Sequence, residues 1–222
     1  MDKSKIIQGK FVNKYKIPLA EIDDFNLKYE NLKKSLPSHG KNLAGAIKSE
    51  LGITNFLQTM NIYQSLVNNI QDYINDWYLT NFFKQPMSEL QPKVPSHHID
   101  ILSCWVNDMK SGEYNPIHHH NERVGFSTVL FLKLPGPLMD DYEHNHKNKD
   151  GRLFFFNENS NTEVIPSVGD FYVFRADHAH GVYPFRAKDP NGIRRSMSFN
   201  FTCVIHEELE GPNFQVTGSD VK

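Results

Sequence analysis

From residue 97 onward the chain breaks into short apolar or alternating runs separated by Gly, Pro, Asn and Asp. This punctuation constrains the fold more than any other feature. The spacing predicts strands at about 98–108, 126–133, 152–156, 170–174 and 194–205, with weaker ones near 115–122 and 180–186. Strands of this number and length suggest an antiparallel barrel or sandwich, an α+β arrangement once the helices that precede it are packed on one face. Between two of the strands, "PGPLMDDYEHNHKNKDG" (135–151) is polar and turn-rich, which reads as a long hairpin loop, mobile or serving as a lid.

The first third has a different texture. Ile62, Leu66, Ile70, Tyr73, Ile74 and Trp77 recur at spacings of three and four, one apolar stripe on a helix across 58–80. A second helix is expected over "NLAGAIKSELG" (42–52), stopped by Gly52, and a third around 19–35, ending before Pro37. The three prolines of "KQPMSELQPKVPS" (84–96) separate this part from the strands. The division is therefore a helical support region, 1–96, and a β core, 97–222, together one compact domain.

Composition narrows the function. With 24 basic and 26 acidic residues the formal charge is -2, so no global field favours nucleic acid or an anionic membrane. Cys104 and Cys203 lie far apart in apolar runs, as two thiols in a reducing compartment rather than a disulfide. The N-terminus lacks the apolar core of a signal peptide, and no run of about 18 apolar residues follows that could span a bilayer. A cytoplasmic protein is the expectation; its oligomeric state is left open.

The chemistry concentrates in "NPIHHHNE" (115–122). Side chains alternate on an extended strand, so His118, His120 and Glu122 share one face while His119 and Asn121 take the other. Two donors two residues apart on a rigid strand suit a divalent metal, with a third donor supplied from elsewhere. "DHAHGVYPF" (177–185) offers His178 and His180 on one face, delivered by the Pro-x-x-Gly-Asp turn and apolar strand of "PSVGDFYVF". In "RRSMSFNF" (194–201), Arg194, Ser196, Ser198 and Asn200 alternate with Arg195, Met197, Phe199 and Phe201. The polar face is either solvated or the lining of a pocket, where Arg194 would bind a carboxylate bidentately with the Ser196 hydroxyl beside it. His144 and His146 also have ligand spacing, but in a charged loop tract that reads as solvated; His97 and His98 carry no assigned role.

In order, "NPIHHH" before "FSTVLFLKLP", then "PSVGDFYVFRADHAHGVYPF", then "RRSMSFNF" resemble the 2-oxoglutarate and Fe(II)-dependent dioxygenases, in particular the prolyl-hydroxylase-like branch common in phage and marine bacterial genomes. The resemblance covers roughly 98–205. It implies a double-stranded β-helix, the jelly-roll or cupin-like barrel. It also implies Fe(II), 2-oxoglutarate as co-substrate and O2, and hydroxylation of a C–H bond in a peptidyl or small-molecule substrate. Family members usually carry His-x-Asp or His-x-Glu with one distal His. In the Asn-Pro-x-His register the metal ligands are His118, His120 and His180; two residues later, His120 and the carboxylate of Glu122 take the first two positions. The 2-oxoglutarate C5 carboxylate falls to Arg194 and Ser196. Asn107 and Asn200 are candidates to hydrogen-bond the co-substrate, and Tyr172, Phe131 and Trp105 to wall its pocket, although ordinary barrel core also explains the three aromatics. Three histidines are also what a cupin-type metalloprotein uses, and a non-catalytic barrel that binds a sugar or a partner is the reading from another class.

Overall fold

A computed structural model describes residues 4–7, 12–82, 96–120, 125–139, 150–157 and 160–206. The strand signals of the second half fold into two antiparallel sheets. The smaller has the order β5 (Asn115–His118), β10 (His180–Val182), β7 (Leu153–Asn157), β8 (Ser160–Val164). The larger has the order β1 (Ser4–Ile7), β2 (Val12–Lys16), β9 (Asp170–Arg175), β6 (Phe126–Lys133), β11 (Arg194–His206), β4 (Ser96–Met109), β3 (Glu50–Gly52). The chain passes back and forth between the sheets from β4 to β11, an order consistent with a jelly roll, and contributions from outside that core extend the larger sheet at both edges.

Among the described residues, helices α1 (Leu19–Leu32), α2 (Thr54–Leu57) and α3 (Tyr63–Phe82) are few beside eleven strands. The stripe on α3 is buried as its periodicity requires: Leu66, Ile70, Tyr73 and Ile74 join Ile22, Phe25 and Tyr29 of α1 in one cluster with Cys104, Val106, Met197, Phe199 and Phe201 of the larger sheet. A second cluster, including Phe131, Leu153, Phe155, Tyr172 and Phe174, fills the space between the sheets. The larger sheet is therefore buried on both faces, and strands β6, β9 and β11 are buried almost throughout.

The helix expected over 42–52 does not form. Gly40–Asn42 is a single 3-10 turn, and the chain then runs extended into β3. Gly45 inside the stretch weakens a helix by about 1 kcal/mol, while edge pairing with β4 satisfies the backbone: Glu50, Leu51 and Gly52 lie opposite Asn107, Val106 and Trp105. Ala46 N–H also donates to the Tyr114 carbonyl at 2.9 Å. The segment thus straps the edge of one sheet to the start of the other.

Both thiols are free, as their separation predicted. Among the described residues no helix is long and apolar enough to cross a membrane. The turn before β9 needs its glycine: at Gly169, φ is 86° and a Cβ would sit 2.7 Å from the Ile17 carbonyl. That close approach seats β9 beside β2 and aims the chain toward His178 and His180.

Candidate metal centre

Strand pairing brings the separated histidines together. His118 on β5 lies directly opposite His180 on β10, and the strand alternation read from the sequence adds His120 just beyond the end of β5. One ligand nitrogen from each of His118, His120 and His180 lies within 4.8 Å of the other two. The rings face one another with centroids 4.4 Å apart for His118 and His180, and 5.3 Å for each of the other pairs. Glu122, the carboxylate alternative, lies outside the described residues, as do His144 and His146.

The backbone fixes how two of these imidazoles present themselves. His118 Nδ1 is 2.8 Å from the Pro116 carbonyl and His180 Nδ1 is 2.8 Å from the His178 carbonyl. A carbonyl only accepts, so each Nδ1 carries the proton and each Nε2 is left as a lone-pair donor. His120 is held by Ser127 Oγ at 3.3 Å from its Nε2 and by the Asn200 amide at 3.5 Å from its Nδ1. Asn200 Oδ1 has no partner, and turning the amide about would offer that oxygen to His120 Nδ1–H and free Nε2. Burial pushes all three imidazoles down, His180 furthest because it is fully enclosed; at His120 burial together with the His118 and His119 rings lowers the pKa to about 4. Three neutral imidazoles with converging nitrogens suit a divalent metal; imidazole is a ligand for Fe(II) among others, and the set departs from the usual two-histidine, one-carboxylate triad by having a third histidine where the carboxylate stands.

Gly181 allows the rings to meet. A Cβ there would lie 2.6 Å from the Phe154 ring and 2.9 Å from the Asn115 carbonyl, so no other residue lets β10 sit between β5 and β7.

The histidines open on a cavity of about 150 Å³ whose walls include Trp105, Asn107, Asn115, Ser127, Ser196 and Ser198. On β11 the face read from the sequence as solvated or pocket-lining points inward. Arg194, 2% exposed, donates from Nε to the Gly151 carbonyl at 3.0 Å and from Nη1 to Ser196 Oγ at 3.4 Å, with its guanidinium carbon 4.7 Å from the Phe131 ring centroid. Its Nη2 is buried without a hydrogen bond, and no carboxylate pairs with it among the described residues. Burial lowers its pKa to about 9, still well above neutrality. A cation kept charged, dry and incompletely bonded is a receptor for an anion.

Other residues singled out from the sequence take different places. Asn107 lines the cavity with its Oδ1 unpartnered, and Trp105 lines it while stacking on His39 at 5.3 Å. Tyr172 lies behind the cavity wall, packed edge-on against Phe131, with its hydroxyl 3.4 Å from Asp170 Oδ2. His178 is buried against Phe155 and contributes its carbonyl, rather than its ring, to the His180 contact. Ser127 carries no signal in the sequence, because a serine inside an apolar strand is commonplace, and Asn115 reads there only as the start of the Asn-Pro-x-His register.

Three imidazoles, that of His180 buried and those of His118 and His120 half-buried, gathered inside a double-sheet β fold define a candidate non-haem metal centre. Residues 103–200 match the family described as "Putative 2OG-Fe(II) oxygenase". Residues 103–200 are thus similar to the 2-oxoglutarate/Fe(II) oxygenases, and that similarity implies Fe(II), 2-oxoglutarate and O2. The fold is shared with a Pseudomonas putida prolyl-4-hydroxylase, at 14% identity, TM-score 0.51, over 87% of this chain and 92% of that one. It is shared also with a Trichoplax adhaerens prolyl hydroxylase solved in complex with a hypoxia inducible factor peptide fragment, at 14% identity, TM-score 0.54, over 87% and 84%. No curated protein sequence matches the chain.

Proposed function

We propose that the protein is an Fe(II)- and 2-oxoglutarate-dependent dioxygenase that hydroxylates a C–H bond of a peptidyl or small-molecule substrate and converts 2-oxoglutarate to succinate and CO2. The reading makes His118, His120 and His180 the metal ligands and Arg194 with Ser196 the anchor of the C5 carboxylate. The supporting observation is the pairing of a neutral triad with a buried guanidinium that lacks an anion, at opposite ends of one polar wall. On the same reading the strands from β4 to β11 form a double-stranded β-helix, residues 97–222, with the helical region 1–96 packed against one face as support, and the protein works in the cytoplasm.

When bound, Fe(II) supplies the site at which O2 and 2-oxoglutarate react. The chain's own part is preparation. Pro116 and His178 carbonyls orient His118 and His180, so little reorganisation accompanies metal binding. Arg194 stays protonated in a water-poor site, where its attraction for a carboxylate is stronger than at the surface. Ser196 steadies one guanidinium nitrogen and leaves Nη2 for the ligand. Asn107 and Asn200 stand on the same wall to bond the co-substrate, and the Trp105 and Phe131 rings help exclude water from it.

The test is anaerobic. Fe(II) and 2-oxoglutarate added to the protein should give the weak visible metal-to-ligand charge-transfer band; it should vanish in His180→Ala, weaken in Arg194→Ala and survive in Glu122→Ala. If iron binds and no band forms, the co-substrate assignment fails and a cupin-like three-histidine centre takes its place, for which Arg194→Ala would leave activity largely intact. A protein that neither holds stoichiometric iron nor turns over 2-oxoglutarate would be a binding module.

A further inference from the structure

Outside the histidines, the most anomalous charge is on the edge strand β3. Glu50 lies directly opposite Asn107 on β4, so their side chains share a face. Asn107 lines the histidine cavity on this face, and Glu50 stands next to it without lining the cavity itself. Glu50 is 3% exposed, and no hydrogen bond or ion pair to a described residue holds its carboxylate, although its oxygens are not among the fully enclosed polar atoms. It is wrapped by the strap: a Cβ on Gly40 or on Gly45 would each come 2.9 Å from one of its oxygens. Leu43 and Ala44, between those two glycines, line the cavity themselves.

Its neighbour Glu113 makes the contrast. Glu113 is similarly buried but accepts the backbone N–H groups of Lys48, at 3.3 Å, and Lys110, at 2.9 Å. Glu50 has no such donors, and burial together with the Glu113 charge pushes its pKa up to about 7. A buried carboxylate without a partner is costly, and a ligand cation relieves that cost.

The amides point the same way. Asn107 is 7% exposed with Oδ1 unpartnered, and Asn115, across the cavity on β5, also has an unpartnered Oδ1. An ionised 2-oxoglutarate offers only acceptor oxygens, so it can bond amide N–H groups but never these oxygens. They require a donor from something else. A prolyl residue inside a peptide has no N–H on its ring and would leave both of them, and Glu50, unsatisfied.

We infer that Glu50 and Asn107 form a recognition subsite beside the metal cavity for a cationic nitrogen group, an alkylammonium or a guanidinium. The inference rests on the oxygenase reading only in calling the molecule that carries this group the substrate. Glu50 supplies the charge, Asn107 Oδ1 a hydrogen-bond acceptor, and the strap 40–48 the cover that keeps water from competing.

The subsite is tested by calorimetric titration of the full-length, metal-free protein with four probes: the N-acetyl amides of L-lysine, L-arginine, L-norleucine and L-proline. A cationic probe should bind about tenfold or more tightly than the norleucine and proline compounds; whether lysine or arginine leads tells ammonium from guanidinium. Glu50→Gln, which keeps the shape of the protonated acid, should abolish that preference, and Asn107→Ala should reduce it. Near pH 6, about one unit below the Glu50 pKa, binding should release protons, seen as heats that depend on the buffer in wild type and not in Glu50→Gln. Glu113 is the other titratable carboxylate against Glu50, so Glu113→Gln should keep the preference while lowering the pH at which protons are released. Cationic probes that bind no better than norleucine, or a preference that survives in Glu50→Gln, overturn the inference. Because no metal is present, a missing charge-transfer band with an intact cationic preference sinks the oxygenase reading alone, whereas an intact band without that preference sinks the subsite alone.

Discussion

Arg194 and Arg195 are neighbours in sequence, start the same strand, and are 2% and 1% exposed, yet they do opposite things. Arg195 faces the helices. It holds Asp108 with two hydrogen bonds, Nε at 2.6 Å and Nη2 at 3.0 Å, adds Asn26 at 3.1 Å and Glu30 at 2.5 Å, and lies over the Tyr29 ring. Arg194 faces the space between the sheets and has a carbonyl, a long contact to a hydroxyl and a ring, with one nitrogen unbonded. Burial disfavours the charge on both; at Arg195 the hydrogen bonds it donates to Asp108 and Glu30, with their charges, outweigh it and raise the pKa, while at Arg194 nothing does and the pKa falls to about 9. A buried guanidinium whose bonds are complete within the chain stabilises the fold, and one whose bonds are incomplete is open to a ligand, the role proposed above for Arg194. The two can be separated by experiment.

The largest effect should come from Arg195→Met. It leaves Asp108 buried with only Lys33, which also contacts that carboxylate, and removing one member of a buried pair costs about 3–5 kcal/mol. The loss should appear as a lower denaturant midpoint, with 2-oxoglutarate affinity of the folded fraction unchanged. The same pair predicts a pH dependence. Burial alone would raise the Asp108 pKa, but the hydrogen bonds from Arg195 and Lys33 prevail and hold it below its ordinary 3.8. Its stabilisation is therefore complete above the ordinary value and is lost as pH falls through the lowered one. Wild type should lose stability below about pH 4, and Arg195→Met should lose less over the same range; equal slopes would show that Asp108 is not held by Arg195.

Arg194→Met should reverse the pattern. Losing the contact with Phe131 is offset by no longer burying an unpaired charge, so stability should stay within about 1 kcal/mol. The affinity for 2-oxoglutarate, followed by the charge-transfer band, should fall about 100-fold, or about 2.7 kcal/mol. A stability loss as large as that of Arg195→Met would mean that Arg194 belongs to the core after all.

How much of this is legible in the sequence depends on whether a feature is local. The alternation of polar and apolar residues on β11 is a property of the strand itself, and it alone separates Arg194 from Arg195; the same alternation puts His118 and His120 on one side. Periodicity does not reveal that both faces of β11 are buried, since that depends on helices more than 100 residues earlier in the chain. The strap defeats it for the same reason. "NLAGAIKSELG" has helix-forming residues, but its fate is decided by β4 and Tyr114, distant in sequence. Glu50 therefore reads as one more polar residue on a helix rather than a buried acid opposite Asn107. The carbonyls of Pro116 and His178 that orient two imidazoles are backbone atoms, and no residue pattern announces them.

The smallest effect sharpens the comparison most. Ser196 and Ser198 lie two apart on the inward face of β11 and both line the cavity, but only Ser196 touches Arg194, across 3.4 Å. At that length the hydroxyl holds the guanidinium weakly; on the proposed reading its larger use is to supplement Nη2 when a carboxylate arrives. Removing it should weaken 2-oxoglutarate binding by about threefold to tenfold, in the range of one hydrogen bond of about 0.5–1.5 kcal/mol. Ser198→Ala, without the arginine contact, should change binding by less than about twofold. If the two serines matter equally, the wall acts as a general polar lining. If Ser198 matters more, the anion is held nearer the histidines than Arg194 allows, and the guanidinium's missing bond belongs to some other ligand.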